Sequence, residues 1–552
     1  MLRRVRGIHH RAWLLSLLSA FLQVLIFPLP RLYVLCWIAL VPLLVALSRT
    51  RAPEALQLDT AGTRLLPARP WQGFLLGYAC GIVWYGGTCY WVYATMRQYG
   101  GLNIAMSAFL LLLFCMTAGL GHAIFGACFA ALASRDSMRQ YALALTPVFW
   151  VAVELTRTHL IDFSWNLLGT VQVDNIPLAR ISTITGVYGI SFEIVLVNAA
   201  LATALLLPRD RRTRMLTITL AIAALLQAGR WLPQDPSPAD HRAVLVQENV
   251  SVMETTPWTI DYFQQSVREF GDLSLAAPSS GTRPDLIVWP ETPAPFLTRD
   301  PLFREALSNV ARQSQAWMVV GSVGVGPQLN APMGASMDPA PGASTHSSGQ
   351  PEAVYNSAAL VNPGGEMVAR YDKVRLVAFG EYVPFRKLFS FAEALTKEIG
   401  TFDHGVSREP LRAGNSRIGV FICYESVFPD DVRQFAANGA QVFVNISNDG
   451  WYGDSGAWAQ HLQQARMRAI ENHRWLLRDT NTGLTAAIDP LGRVVASIPR
   501  KTRARLEAPY ALLEDTTFYT QHGSWFAYAC AIISLVALAA AVLIRDPKNH
   551  HD

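Results

Sequence analysis

The sequence predicts an α-helical transmembrane bundle joined to one large extramembrane α/β domain. Three observations predict it. Apolar residues make up 51% of the 552-residue chain and charged residues only 16%, a balance unlike that of soluble domains. Long apolar runs fill residues 1–232 and return at 522–544. Between them, residues 241–510 hold no run long enough to cross a bilayer and alternate short β-rich segments with helical ones, the pattern of α/β layers.

Stretches of the roughly 17–25 residues that a bilayer requires lie at about 71–95, 104–133, 141–157, 184–208, 213–231 and 522–544. The first fifty residues are apolar but broken at Pro28 and Pro30, which predicts a hairpin of two shorter helices, about 12–28 and 31–48. Eight spans are therefore expected, seven before the α/β domain and one after it. A cleaved signal peptide starting at Arg3, Arg4 and Arg6 is the rival reading, disfavoured because no small-residue cleavage site precedes the next span.

The net charge of +5 raises nucleic acid as a partner, yet the Arg residues sit in short clusters between apolar runs. Orientation in a bilayer accounts for them, and no nucleic-acid partner is expected. With the N-terminus inside, sixteen Arg and Lys residues fall in inner segments, among them Arg49, Arg135, Arg209, Arg211 and Arg212. Only five, Arg31, Arg97, Arg157, Arg180 and Arg230, fall in short outer ones. Cytoplasmic loops carry the excess, so residues 241–510 are expected outside the cytoplasm.

Within that segment the expected strands are Arg242–Gln247, Asp285–Trp289, Trp317–Val323, Tyr355–Val361, Ile418–Cys423, Val442–Ile446 and Thr485–Ile488. Turn formers follow them, as in Pro-Glu-Thr-Pro at 290–293 and Asn-Asp-Gly at 448–450. Helices fit between them at about 259–276, 302–314, 429–437 and 456–474. Residues 327–353, rich in Pro, Gly, Ala and Ser, read as a flexible insertion. A second segment, with Phe379, Phe385, Phe389 and Phe391 beside Arg386 and Lys387, suits either core packing or a dip into the bilayer surface.

Six cysteines, Cys36, Cys80, Cys89, Cys115, Cys128 and Cys530, fall in the expected spans as small apolar residues, and Cys423 alone lies in the exported domain. A lone thiol there has no internal disulfide partner, so it is either buried and inert or kept for chemistry. It ends the run Ile-Gly-Val-Phe-Ile-Cys-Tyr-Glu-Ser, where a buried strand gives way to a polar turn. A thiol needs a base or a positive neighbour to become a nucleophile. No His lies near Cys423 in the sequence, but Glu291 follows Leu-Ile-Val-Trp-Pro, and Lys373 lies in Tyr-Asp-Lys-Val-Arg-Leu-Val. A carboxylate can take the thiol proton, and an ammonium can stabilise an oxyanion. Each alone suits a solvated strand end. His461 and His473, twelve residues apart on one expected helix, do not form a shared metal site, and no metal or organic cofactor is expected.

Taken in order, the Glu of Leu-Ile-Val-Trp-Pro-Glu, the Lys of Tyr-Asp-Lys, the Glu of Phe-Gly-Glu-Tyr-Val-Pro and the Cys of Cys-Tyr-Glu resemble the Glu-Lys-Cys triad of the nitrilase, or carbon-nitrogen hydrolase, superfamily. With spans on both sides, and with Val-Asn-Ile-Ser-Asn-Asp-Gly-Trp-Tyr-Gly through Thr-Asn-Thr-Gly-Leu-Thr at 444–485, residues 12–544 resemble the apolipoprotein N-acyltransferases of bacterial inner membranes. That resemblance implies an αββα sandwich. It also implies transfer of an acyl chain from a phospholipid, usually phosphatidylethanolamine, to the N-terminal amine of the diacylglyceryl-cysteine of an apolipoprotein. By motif match Glu291 is the general base, Lys373 the oxyanion and positioning residue, and Cys423 the nucleophile that carries a thioester. Glu381 matches a second essential glutamate, Tyr424 and Glu425 match the residues after the nucleophile, and Trp258 matches a tryptophan near the domain entrance. For Glu381 and Glu425 the alternative is a hydrogen-bonded structural carboxylate, and for Trp258 an interfacial anchor. Glu248 and Ser164 stand where the family commonly has Pro. A monomer is expected.

Two other functions fit parts of the sequence. A membrane-tethered amidase would use the same triad on a small amide, and the lipid-facing spans disfavour it. A transporter would be expected to carry intramembrane charges along its path, and the spans hold few, chiefly Glu154 and Glu193.

Overall fold

The computed structural model describes the chain apart from residues 1–6, 53–64, 207–208, 228–237, 253–258, 279–280, 292–295, 328–351, 379, 383–401 and 544–552. Among the described residues, helices of at least eight residues are α1 His10–Leu25, α2 Val41–Ser48, α3 Pro70–Thr88, α4 Trp91–Gln98, α5 Ile104–Ala118, α6 Leu120–Ala133, α7 Thr146–Leu160, α8 Val187–Leu206, α9 Arg209–Leu226, α10 Ile260–Leu275, α11 Pro301–Ser314, α12 Pro429–Ala437, α13 Ala457–Asn472 and α14 Trp525–Leu543. Three stretches of them are long and apolar enough to cross a membrane: Ile104–Ala133, Val187–Leu206 and Trp525–Leu543. On α14, Ile532, Leu535, Val536, Val542 and Leu543 are exposed. Such an apolar surface fits a lipid solvent, and the chain is a membrane protein.

Elsewhere the apolar runs are interrupted more than their composition suggests. The run at 71–95 stops as a helix at Thr88 and resumes as α4, and the run at 141–157 is broken after the short helix Arg139–Ala142 and becomes helical again at Thr146. Close packing shapes the centre of the bundle. Gly73, Gly77 and Gly81 recur every fourth residue on α3, so they share one face. A Cβ on Gly77 would lie 2.1 Å from the His122 carbonyl oxygen, and one on Gly73 would lie 2.3 Å from that of Gly126. Small residues are what let membrane helices approach this closely.

The α/β domain is built from twelve strands: β1 His241–Gln247, β2 Leu286–Trp289, β3 Trp317–Pro327, β4 Glu352–Val361, β5 Met367–Asp372, β6 Leu411–Ala413, β7 Ser416–Ile422, β8 Val442–Ser447, β9 Leu476–Thr480, β10 Thr485–Ile488, β11 Val494–Ile498 and β12 Ala504–Tyr510. They form two six-stranded sheets, β12-β1-β2-β3-β4-β5 and β11-β10-β9-β8-β7-β6. In each the middle strands run parallel, β1-β2-β3 and β7-β8-β9. Alternation sorts the apolar residues. Leu245, Val288 and Val319 face the second sheet's Val420, Ile422, Val444 and Leu477, while Val246, Ile287 and Val320 pack under Phe270 of α10 and Phe303 and Leu307 of α11. On the second sheet Phe435 of α12 and Ala465 and Ala469 of α13 join Phe421 and Phe443. The layers are helix, sheet, sheet, helix.

Five strands that the apolar pattern does not announce are present, β5, β6, β9, β11 and β12. Four of them are the outermost strands of the two sheets, where side chains alternate less cleanly. The fifth, β9, carries the buried Arg478 and Asp479. The strand expected to include Cys423 ends at Ile422 instead. The expected insertion at 327–353 lies outside the described residues except at its edges, which belong to the antiparallel pair β3 and β4. The Phe-rich segment with Arg386 and Lys387 also lies outside the described residues.

Helix α13 joins the domain to the bundle, and thirteen of its sixteen residues are buried. Gln460 Nε2 donates to the carbonyls of Pro28 (3.1 Å) and Thr88 (3.0 Å). These carbonyls lie where α1 and α3 have ended, and a buried helix end needs such partners. Trp165 Nε1 donates to Gln460 Oε1 at 2.6 Å, and Glu471 Oε1 accepts from the Val187 amide at 2.9 Å.

Candidate active site

The fold brings the carboxyl ends of β2, β5 and β7 to one place, beside the middle of β4. Glu291 follows β2 across Pro290, Lys373 follows β5, and Cys423 follows β7. Lys373 is buried, and its Nζ donates to Glu291 Oε1 at 3.1 Å and to Glu381 Oε1 at 2.8 Å. Burial alone would lower the ammonium's pKa, but Glu291, Glu381 and Cys423 outweigh it, and the group is raised well above its ordinary value. It is therefore charged, and two of its three N–H bonds point at carboxylates.

Asn356 of β4 completes this cluster. Its Nδ2 donates to Glu291 Oε1 at 2.8 Å and to Glu381 Oε1 at 2.7 Å. The far oxygen of Glu291 accepts from the Asn448 amide at 2.8 Å, and that of Glu381 from the Val377 amide at 2.8 Å. Both carboxylates are thus held at both oxygens, so their orientation is fixed before any substrate arrives.

Cys423 is buried and opens a short 3₁₀ turn, with φ at +50°. A side chain in this left-handed region is strained, and the turn projects the thiol from a rigid strand end. Burial, with Glu291 next, pushes the thiol's pKa up, while Lys373 and Ser447 act against them. The resting sulfur is a thiol rather than a thiolate.

Glu425 lies beneath the nucleophile. Its Oε2 accepts from the Ile422 amide at 2.7 Å, and its Oε1 from the Val374 amide at 2.7 Å and the Arg375 amide at 3.0 Å. Tyr371 OH donates to the same carboxylate at 2.8 Å. One side chain thereby ties the strand before Cys423 to the loop after Lys373. Tyr424 points the other way, its ring stacked on Trp165 at 6.2 Å between centroids. Trp91, Trp165 and Tyr452 continue this aromatic surface between site and bundle. Trp258 lies outside the described residues.

The sequence does not single out Asn356, Ser447, Asp449 or Arg478, and it offers His461 only as a metal ligand that its spacing from His473 disfavours. A polar residue amid the apolar strand Tyr-Asn-Ser-Ala-Ala-Leu-Val was the available signal for Asn356. Asp449 was visible only as part of a turn. Among the described residues no cluster of His, Cys, Asp and Glu is arranged to hold a metal ion.

The two facing sheets and the glutamate, lysine and cysteine at their strand ends lie within residues 240–509, which the model of the carbon-nitrogen hydrolase family matches. The model of the apolipoprotein N-acyltransferase N-terminal domain matches residues 19–200. The chain is 32% identical, over 99% of its length and 98% of the relative's, to an apolipoprotein N-acyltransferase of Geobacter metallireducens (strain ATCC 53774 / DSM 7210 / GS-15). It is 31% identical to one of Pseudomonas aeruginosa (strain UCBPP-PA14), over 84% of this chain and 86% of that one. Among solved structures it is similar to an amidase from Nesterenkonia sp., with 19% identity, 54% of this chain and 98% of that chain covered, and a TM-score of 0.36. The chain belongs to the apolipoprotein N-acyltransferase family.

Proposed function

We propose that this enzyme moves an acyl chain from a phospholipid to the N-terminal amine of the diacylglyceryl-cysteine of apolipoproteins, through a thioester on Cys423. The observation that supports it best is the buried Lys373 ammonium, held between Glu291 and Glu381 beside a cysteine in a left-handed turn. In the first half-reaction Glu291 takes the thiol proton as the sulfur attacks the ester carbonyl. The third N–H of Lys373 meets the developing oxyanion, where a preorganised charge is worth most. Collapse breaks the ester C–O bond, and Glu291 returns the proton to the departing lysophospholipid oxygen. In the second half-reaction the acceptor's neutral amine attacks the thioester and passes a proton to Glu291. Amide forms as the C–S bond breaks, and the sulfur is reprotonated. One site serving two substrates in turn gives ping-pong kinetics.

Glu381 acts here by holding Lys373, Glu425 by holding the turn and Tyr424 by packing against Trp165, and Trp258 matches, by motif, the family's tryptophan near the domain entrance. The donor is phosphatidylethanolamine and the enzyme is a monomer. Eight spans set it in the bacterial inner membrane, with residues 241–510 in the periplasm, an orientation that the Arg and Lys distribution supports. Both substrates are lipids, which is why the catalytic domain is docked on a bundle.

Intact mass tests the reading. Purified enzyme given phosphatidylethanolamine alone should gain one acyl group and hold it, because water is poorly placed in an apolar cleft. A diacylated lipopeptide with a free terminal amine should discharge it and become N-acylated, whereas the same peptide with a blocked amine should not. Rapid release of free fatty acid without an acceptor would overturn the reading in favour of a hydrolase.

A further inference from the structure

His461, on α13, has no part in that scheme, yet it touches the backbone of the nucleophile. The residue is fully buried. Its Nε2 lies 3.0 Å from the Cys423 carbonyl oxygen and 2.8 Å from Ser426 Oγ. Its Nδ1 lies 3.0 Å from Asp449 Oδ1 and 3.1 Å from Arg478 Nη2. One face of the ring stacks on Trp165 of the bundle at 5.6 Å, and Tyr452 meets it edge-on at 5.7 Å.

Two features give these contacts a direction. The first is strain: with φ at +50°, Cys423 needs its surroundings to hold a disfavoured backbone, and its carbonyl is within hydrogen-bond distance of the imidazole. The second is the proton inventory. Asp449 already accepts from Arg478 Nη2 at both oxygens, at 3.0 and 2.8 Å, and from Ser447 Oγ at 2.8 Å. Burial and the Arg478 guanidinium push the imidazolium's pKa down, so the ring carries one proton at neutral pH. The Cys423 carbonyl can only accept, so its 3.0 Å contact with Nε2 places that proton on Nε2, leaving Nδ1 to face the Arg478 guanidinium.

We propose that His461 is a positioning residue that donates from Nε2 to the Cys423 carbonyl and so holds the left-handed turn that aims the thiol. Arg478 fixes the ring's tautomer, and Trp165 fixes its plane. The bundle thereby sets the nucleophile's geometry through one aromatic stack. The inference rests on Cys423 being acylated, as described above.

Glutamine and asparagine separate this role from a merely structural one, because a Gln side-chain nitrogen reaches the place of Nε2 and that of Asn the place of Nδ1. Full-length wild type, His461→Gln, His461→Asn and His461→Ala, in phosphatidylethanolamine proteoliposomes, would be compared by rate of acyl-enzyme formation, apparent KM and Tm. Rates would be normalised to the folded fraction. His461→Asn and His461→Ala should acylate about 100-fold more slowly with KM unchanged, the scale of a misplaced nucleophile. His461→Gln should recover to within about tenfold of wild type, since its side-chain nitrogen restores the donor to the Cys423 carbonyl. If His461→Ala does not accumulate, the Gln and Asn variants decide between them. Equal rates for these two, or a faster Asn variant, would overturn the proposal. A wild type that forms no acyl-enzyme would instead refute the thioester reading itself.

Discussion

Replacing Glu425 by Gln tests whether the nucleophile and the ammonium are held in register by one carboxylate. The substitution keeps shape and volume. An amide oxygen in place of Oε1 preserves the bonds from the Val374 and Arg375 amides, and the NH₂ group then faces the Ile422 amide, which now donates to Oε2 at 2.7 Å. Turning the amide over would save that bond and lose the other two. At least one hydrogen bond to a charged acceptor is therefore lost, about 1.5–3 kcal/mol. If the whole loss falls on alignment of Cys423 with Lys373, the acylation rate drops about 10- to 150-fold, at about 1.4 kcal/mol per decade. Glu425→Ala would strip four donors at once and should lower Tm as well. The assay is the single-turnover rate of acyl-enzyme formation, followed by intact mass, beside a thermal unfolding curve. A Gln variant acylating at the wild-type rate would refute the alignment role. So would a loss of rate no greater than the loss of folded protein.

Cys423→Ser should abolish both acyl-enzyme and transfer, whereas Ala at Cys36, Cys80, Cys89, Cys115, Cys128 or Cys530 should leave both largely intact, as transfer assays on each variant would report. Asn356→Ala removes the bonds to Glu291 and Glu381 and should cost about 3 kcal/mol, or about 100-fold in kcat, with KM little changed; unchanged kcat would show that Lys373 alone orders the carboxylates. Because burial and Glu291 raise the Cys423 thiol, its alkylation by iodoacetamide should keep accelerating above about pH 8.5, the ordinary thiol value, and a plateau below that would contradict a protonated resting thiol. Gly77→Val sets side-chain atoms against the His122 carbonyl, which a bare Cβ would already approach to 2.1 Å; backbone cannot yield as a side chain does, so folded yield and Tm should fall sharply.

The sequence by itself was enough to establish the class. Apolar runs, the Arg and Lys asymmetry and the α/β pattern of 241–510 are local features, and each strand with a continuous apolar run, β1, β2, β7 and β8, was visible because its own residues are buried on both faces. Cys423 stood out because it is the one cysteine outside the apolar runs of residues 1–232 and 522–544. Tertiary structure decided what local pattern could not carry. Glu291 and Lys373 are 82 residues apart in the chain, and their contact exists only because β2 and β5 lie in one sheet with Asn356 of β4 beneath them. Helix α13, with its two Arg, His and three Gln, reads as a surface helix, yet it is buried between the domain and the bundle. A hydrophobic pattern reports burial only where the neighbours are apolar. A polar residue satisfied by a distant backbone carbonyl, as Gln460 is by Pro28 and Thr88, looks from the sequence like one facing water, and only the fold tells the two apart.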